Sequence, residues 1–137
     1  MKPKVISFDF DDTLLGYDGY PIYPMVDRVK FYQSKGFKCI IVTSRFTSQF
    51  NTIKEFLQQE GISDVEIFSA YSYDMRGYKS RTFEALSNKW NIVYHYDNDW
   101  FIVEEILNNT KKVEPIYVIS QPAYDRPRRK VKTLKLI

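Results

Sequence analysis

Short apolar runs alternate along this chain with segments whose apolar residues recur at helical spacing, and that alternation restricts the fold more than any other feature. Val5-Ile6-Ser7-Phe8, Cys39-Ile40-Ile41-Val42 (within 37–43), Val65-Glu66-Ile67-Phe68, Ile92–Tyr96 and Pro115–Ile119 read as five strands. Their continuous apolar character suits strands buried on both faces of a parallel sheet. Between them, 24–35 carries Val26, Val29 and Tyr32 or Gln33 on one face, with Pro24 suited to a first turn and Gly36 to a stop. Phe50, Ile53 and Leu57 predict a second helix, with Thr47 or Ser48 as N-cap and Gly61 as terminator. Phe83, Leu86 and Trp90 predict a third starting near Ser80, and Trp100, Val103, Ile106 and Leu107 a fourth. Five strands and four helices in alternation imply an α/β domain with a three-layer, doubly wound, Rossmann-like parallel sheet over residues 1–120. Residues 121–137 read as a basic C-terminal tail.

In such sheets, functional groups gather outside the carboxyl ends of the strands. The first strand runs into Asp9-Phe10-Asp11-Asp12-Thr13-Leu14. Several carboxylates beside a buried strand end are costly unless something positive offsets them. A hard cation with oxygen ligands does so, and Mg²⁺ commonly takes one or two carboxylates together with phosphate oxygens and water. A calcium loop starting at Asp9 would place Leu14 at the turn glycine and Tyr20 at the bidentate glutamate, which excludes it. A capped turn without chemistry is the remaining alternative, since Asp and Thr favour turns.

The stretch Asp9-Phe10-Asp11-Asp12-Thr13-Leu14 after an apolar strand resembles motif I of the haloacid dehalogenase (HAD) superfamily phosphatases. The resemblance implies that Asp9 is the nucleophile, that Asp11 is the general acid/base and that Thr13 lies with the substrate-binding groups. The chemistry is coherent: a carboxylate can form an acyl-phosphate, and a second carboxyl group can serve the leaving oxygen. Ile41-Val42-Thr43-Ser44-Arg45 resembles motif II. It implies that the Thr43 hydroxyl holds the phosphoryl group, with Ser44 as the neighbouring substrate-binding hydroxyl, while Arg45 offers a planar fork to a phosphate or substrate carboxylate. Lys79, 18 residues before Asp97, matches the motif III lysine that neutralises nucleophile and phosphate; Lys89 reads as a helix-surface residue.

Tyr96-Asp97-Asn98-Asp99-Trp100 resembles motif IV, which completes the metal site. It departs from the commoner patterns: Tyr96 replaces a glycine, Phe101 occupies the distant acidic position, and Asn98 separates the two acids. The implied Mg²⁺ ligands are therefore Asp9, Asp11, Asp97 and Asp99. Asp97 is favoured as the direct ligand because it ends the strand, and Asp99 either stands behind it or caps the next helix. The only histidine, His95, receives no role. The resemblance covers residues 5 to about 119 and implies no cap domain, because neither 14–38 nor 46–78 has room for one.

The chain is 44% hydrophobic and 27% charged, as expected of a globular protein. No apolar run approaches the roughly 20 residues that span a bilayer, and the stretch before Asp9 is too short for a secretory signal. A single cysteine, Cys39, excludes an intrachain disulfide, and cytoplasm is the expected compartment. The net charge of +3 divides unevenly: residues 121–137 carry six basic side chains against Asp125, and the other 120 residues carry −2. A basic tail can bind polyanions; a solvated tail or a charged edge strand accounts for it equally.

An open site suits a large phosphorylated substrate. With the tail and a loose similarity of 79–108 to phosphatase domains of nucleic-acid end-repair proteins, it points to a terminal phosphate of DNA or RNA. Arg45, Arg76 and Arg81 would contact the backbone, and Tyr71, Tyr73 and Tyr78 would stack on bases. A non-catalytic binding module and a phosphotransferase are the alternative functions. A neighbouring subunit is the other way to cover an open site; an oligomer is possible but not predicted.

Overall fold

The structure, a computed structural model, describes residues 1–71, 77–121, 127 and 129–137. Ten main elements alternate along the chain: β1 (Lys4–Phe8), α1 (Tyr23–Ser34), β2 (Lys38–Thr43), α2 (Phe50–Gln59), β3 (Val65–Ser69), α3 (Tyr78–Leu86), β4 (Asn91–Asp97), α4 (Trp100–Asn109), β5 (Glu114–Ile119) and β6 (Lys132–Lys135). All strands pair in parallel, in the order β3-β2-β1-β4-β5-β6. The sheet therefore has six strands among the described residues, one more than the apolar runs predict. The extra strand comes from the segment read as a tail. Lysine-rich β6 has no apolar run to announce it, but Leu134 and Leu136 pack against the core and the Leu136 N–H donates to the Ile119 carbonyl at 2.9 Å. Lysines on an edge strand also discourage further pairing, so the charged-edge-strand alternative describes residues 132–135.

Alternating side chains of the central strands feed two cores. Ile6, Phe8, Cys39 and Ile41 face Met25, Val26 and Val29 of α1 and Ile53, Phe56 and Leu57 of α2. Val5, Ile40, Val42 and Ile92 face Tyr78 and Phe83 of α3 and Ile102 and Ile106 of α4. Two helices thus cover each face, and the two-residue period of a strand explains why the interiors of β1 and β2 carry apolar residues on both sides.

Helix ends follow the sequence in some places and correct it in others. Gly36, at φ +87°, ends α1, its N–H meeting the Gln33 carbonyl at 3.0 Å. Neither Thr47 nor Ser48 caps α2; 47–49 form a 3₁₀ turn and the helix begins at Phe50. Helix α3 starts at Tyr78, and Trp90 packs into the second core from the turn beyond the helix end.

Chain reversal about β1 sets the position of the site. The chain passes from β1 outward to β2 and β3, then returns to place β4 on the other side of β1. Phe8 pairs with both Ile41 and Tyr96, so β1, β2 and β4 end nearly level with one another. This is the topological switch point at which α/β sheets present ligand sites.

Candidate active site

Beyond β1 the chain turns sharply. The Phe10 carbonyl accepts the N–H groups of Thr13 (3.3 Å), Leu14 (2.9 Å) and Leu15 (3.1 Å), and Asp12 adopts φ +60°, a left-handed conformation that Asp tolerates. Phe10 and Leu14 are fully buried and anchor the turn. The Asp9 N–H donates to the Tyr96 carbonyl at 2.9 Å, which ties the loop to the end of β4.

Asp9 lies at the floor of a cleft of about 390 Å³ whose lining includes Asp11, Ser44, Lys79, Asn98 and Phe101. Lys79 Nζ, brought there by the first turn of α3, donates to Asp9 Oδ1 at 3.0 Å and to Asp97 Oδ2 at 2.6 Å. Thr13 Oγ1 donates to Asp9 Oδ2 at 3.1 Å. The Asn98 side-chain amide lies 2.9 Å from the same oxygen and 3.1 Å from the Asp11 backbone carbonyl, and because both of these only accept, its NH₂ is assigned to that side. Each Asp9 oxygen is thereby held in place.

Asp97 is more fully engaged still. His95 Nε2 lies 2.8 Å from Asp97 Oδ2, and the Asp99 N–H donates to Asp97 Oδ1 at 3.0 Å. His95 Nδ1 lies 2.8 Å from Ser7 Oγ. A carboxylate only accepts, so Nε2 carries the proton and Nδ1 accepts from the Ser7 hydroxyl. Burial lowers His95 to about 4, against the opposing pull of Asp97, so the ring is neutral at pH 7. Burial also opposes charge on Asp97, but Lys79 and His95 outweigh it and hold the carboxyl at about 2. Asp9 is driven the other way, to about 7, by burial and then by Asp97, with Lys79 and Thr13 only partly compensating. Burial disfavours the Lys79 ammonium too, but its two carboxylates raise it well above the ordinary lysine value.

Asp11 faces the mouth of the cleft. Arg45 grips it with Nε to Oδ2 at 3.0 Å and Nη2 to Oδ1 at 2.8 Å. The guanidinium also sits 5.3 Å from the Phe10 ring centroid. Thr43 is buried and its Oγ1 accepts the Arg45 N–H at 3.1 Å, so of the two neighbouring hydroxyls it is Ser44 that lines the cleft. Asp99 lines the cleft as well, but its Oδ1 caps α4 by accepting the Phe101 N–H at 2.9 Å.

The structure thus brings Asp9, Lys79, Asp97 and Thr13 into one buried network and places Asp11, Arg45 and Ser44 around its mouth. Thr13 contacts Asp9 from the interior instead of standing in the cleft wall. Tyr78 is buried in the core and does not offer a free ring, whereas Tyr71 is exposed and packs on Phe46 with ring centroids 4.2 Å apart. Arg76 and Tyr73 lie outside the described residues. Three contributors went unassigned from sequence: Asn98, His95 and Ser7. A signal existed for His95, because residues 95 and 97 share parity on β4 and so face the same side. Ser7 is its register partner on β1.

Among the described residues, no three His, Cys, Asp or Glu side chains form a metal cage. The reason is visible: Lys79 stands between Asp9 and Asp97, and Arg45 holds Asp11. Asp9 Oδ2 and the Asp11 carbonyl do share a neighbour, the Asn98 side-chain amide, at 2.9 and 3.1 Å. Among the described residues, four carboxylates (Asp9, Asp11, Asp97, Asp99) line the cleft and two cations, Lys79 and Arg45, pair with them, so the donor set fits one hard divalent ion with few protein ligands.

Two solved structures share the fold. One, of a Pnkp1/Rnl/Hen1 complex, superposes with a TM-score of 0.72 at 17% identity, covering 85% of this chain and 46% of that chain. The other, of the Pnkp1/Rnl/Hen1 RNA repair complex, gives 0.69 at 16% identity, covering 85% and 43%. The chain therefore spans less than half the length of these structural neighbours, and at such identity the likeness is one of fold. No curated protein matches it. The family description "PITM 1-3, LNS2 domain" matches residues 6–120, which include every site residue named above. This match points to phosphatase-like chemistry, and the chain belongs to that LNS2 domain family.

Proposed function

We propose that this protein is a Mg²⁺-dependent phosphomonoester hydrolase of the HAD type, acting through an aspartyl-phosphate on Asp9. One observation carries the reading: a buried carboxylate, held on both oxygens and 3.0 Å from a buried ammonium, opens onto a cleft with a second carboxyl two residues away. An Asp9 oxygen attacks phosphorus as the bond to the leaving oxygen breaks, and Asp11 gives that oxygen its proton. Asp11 then takes a proton from water as the water oxygen attacks phosphorus, which frees Asp9 and inorganic phosphate. Lys79 offsets charge on Asp9 and the phosphoryl group. Ser44 and Arg45 stand where a phosphate at the cleft mouth would meet a hydroxyl and a guanidinium. Asp9 and Asp11 would hold the metal, which when bound neutralises phosphoryl oxygens.

The substrate we propose is a terminal phosphate on a nucleic acid. Among the described residues no inserted domain covers the cleft, and its surroundings carry exposed rings: Phe101 is 77% exposed at the rim, and the Phe46–Tyr71 pair follows Arg45 and β3. Bases stack on such rings with little sequence preference. A second reading, a non-catalytic phosphate-binding module, draws on the bidentate Arg45–Asp11 pair, which occupies the proposed general acid.

Phosphate release should be measured with Mg²⁺ on an aryl phosphate, mononucleotides and oligonucleotides phosphorylated at either end. Asp9→Asn serves as the control. We expect release from oligonucleotides that weakens steeply with salt and disappears in the variant. Release from small phosphates alone, without salt dependence, would remove the nucleic acid from the proposal. Binding of oligonucleotide without turnover would favour the module.

A further inference from the structure

The end of β4 offers three oxygen-bearing side chains in a row, and their surroundings differ. Asp97 is fully buried and accepts from Lys79, His95 and the Asp99 N–H. Asp99 is exposed and spends an oxygen capping α4. Of the three, only Asn98 sets its side-chain amide against the two oxygens of the turn after β1, 2.9 Å from Asp9 Oδ2 and 3.1 Å from the Asp11 carbonyl. A side-chain amide has nearly the same shape after a half-turn that exchanges its NH₂ and its oxygen. With NH₂ inward, it satisfies both oxygens without any cation. With oxygen inward, a carboxylate oxygen, a peptide carbonyl and an amide oxygen gather around one point. Such a group repels itself when empty and is a hard-cation donor set when filled.

We infer that Asn98, and neither Asp97 nor Asp99, supplies the third protein oxygen of a divalent-cation site shared with Asp9 and the Asp11 carbonyl, its amide turning over as the ion binds. The inference rests on the metal-dependent reading above and deepens it. Asp97 is left with a different task, holding Lys79 against Asp9. Having a neutral ligand where the commoner patterns carry an acid also leaves the site less negative, so it binds its cation less tightly than an all-carboxylate site and keeps its shape without one.

Mn²⁺ binding to the full chain, followed by the EPR signal of the free ion, tests this without any turnover. Asn98→Ala should weaken binding at least about tenfold, the usual scale for losing a ligand or its support. Asn98→Asp should tighten it, and a gain of affinity cannot arise from misfolding. Asp9→Asn separates the two levels of the argument. If it weakens Mn²⁺ binding while both Asn98 variants bind as wild type, Asn98 is not a ligand and the metal reading stands. If Asp9→Asn leaves the affinity unchanged, the cation site itself is refuted, and the role of Asn98 with it.

Discussion

Two ion-paired clusters lie about Asp9, the proposed nucleophile, and they are built on opposite physical terms. In the Lys79 cluster the ammonium is 2% exposed and bridges two buried carboxylates, with a neutral histidine behind one of them. In the Arg45 cluster the guanidinium is 24% exposed and the Asp11 side chain 48%. Buried charges cannot exchange a partner for water without a large desolvation cost, whereas exposed ones can. The contrast teaches a division of labour. Lys79 and Asp97 are locked inside, while Asp11, the proposed general acid, is held by a partner that in the proposed reaction an incoming phosphate would draw away.

The largest expected effects come from breaking the buried cluster. Lys79→Met leaves Asp9 and Asp97 facing each other without a cation, and removing one partner of a buried pair costs about 3–5 kcal/mol. Thermal unfolding should show a drop in Tm of ten degrees or more, on the order expected for a domain of this size. A Tm within a few degrees of wild type would mean that Lys79 is solvated and the contrast false. Asp9→Asn should abolish turnover, at least about a thousandfold, while leaving the fold intact.

The same residue allows a finer test through pH. Folding raises Asp9 from 3.8 to about 7, so between those values the folded state holds the proton more tightly than the unfolded state does. Its contribution to stability is therefore lost as pH rises through that window. His95 behaves oppositely: its folded value is lowered from 6.5 to about 4, so its contribution is complete above 6.5 and fades as pH falls toward 4. Asp9→Asn removes only the first of these. Without divalent ions, the variant should gain stability relative to wild type as pH rises from 5 to 8, by a few degrees in Tm. A relative loss over that range would show that the attraction to Lys79 outweighs burial at Asp9.

Much of this was legible in the sequence because strand-end chemistry and strand apolarity occupy the same short segments. Asp9 and Asp97 could be placed because each ends a buried run, and Lys79 only through its match to the family pattern, 18 residues before Asp97. What the sequence withheld depends on register and rotamer. Nothing local says that Thr43 turns inward to meet the Arg45 N–H and leaves Ser44 in the cleft, or that Thr13 approaches Asp9 from within. Ser7 and His95 meet only because β1 and β4 pair in one particular register. Strand β6 was hidden for another reason, since a lysine-bearing edge strand lacks the continuous apolarity by which central strands are recognised.

The smallest effect on stability, and the sharpest test of the contrast, is expected at Arg45. An exposed ion pair contributes under about 1 kcal/mol, so Arg45→Met should unfold within a few degrees of wild type while Lys79→Met does not. Kinetically the residue should matter more. If Arg45 releases Asp11 in exchange for the substrate phosphate, losing it removes a phosphate contact and an obstacle together, raising KM while sparing kcat. Arg45→Lys keeps the charge but not the planar fork, so it should recover little of the lost binding. Steady-state kinetics decide between the two outcomes. A fall in kcat at unchanged KM would mean that Arg45 acts on the chemical step through Asp11. The outer cluster would then be as fixed a part of the machinery as the inner one.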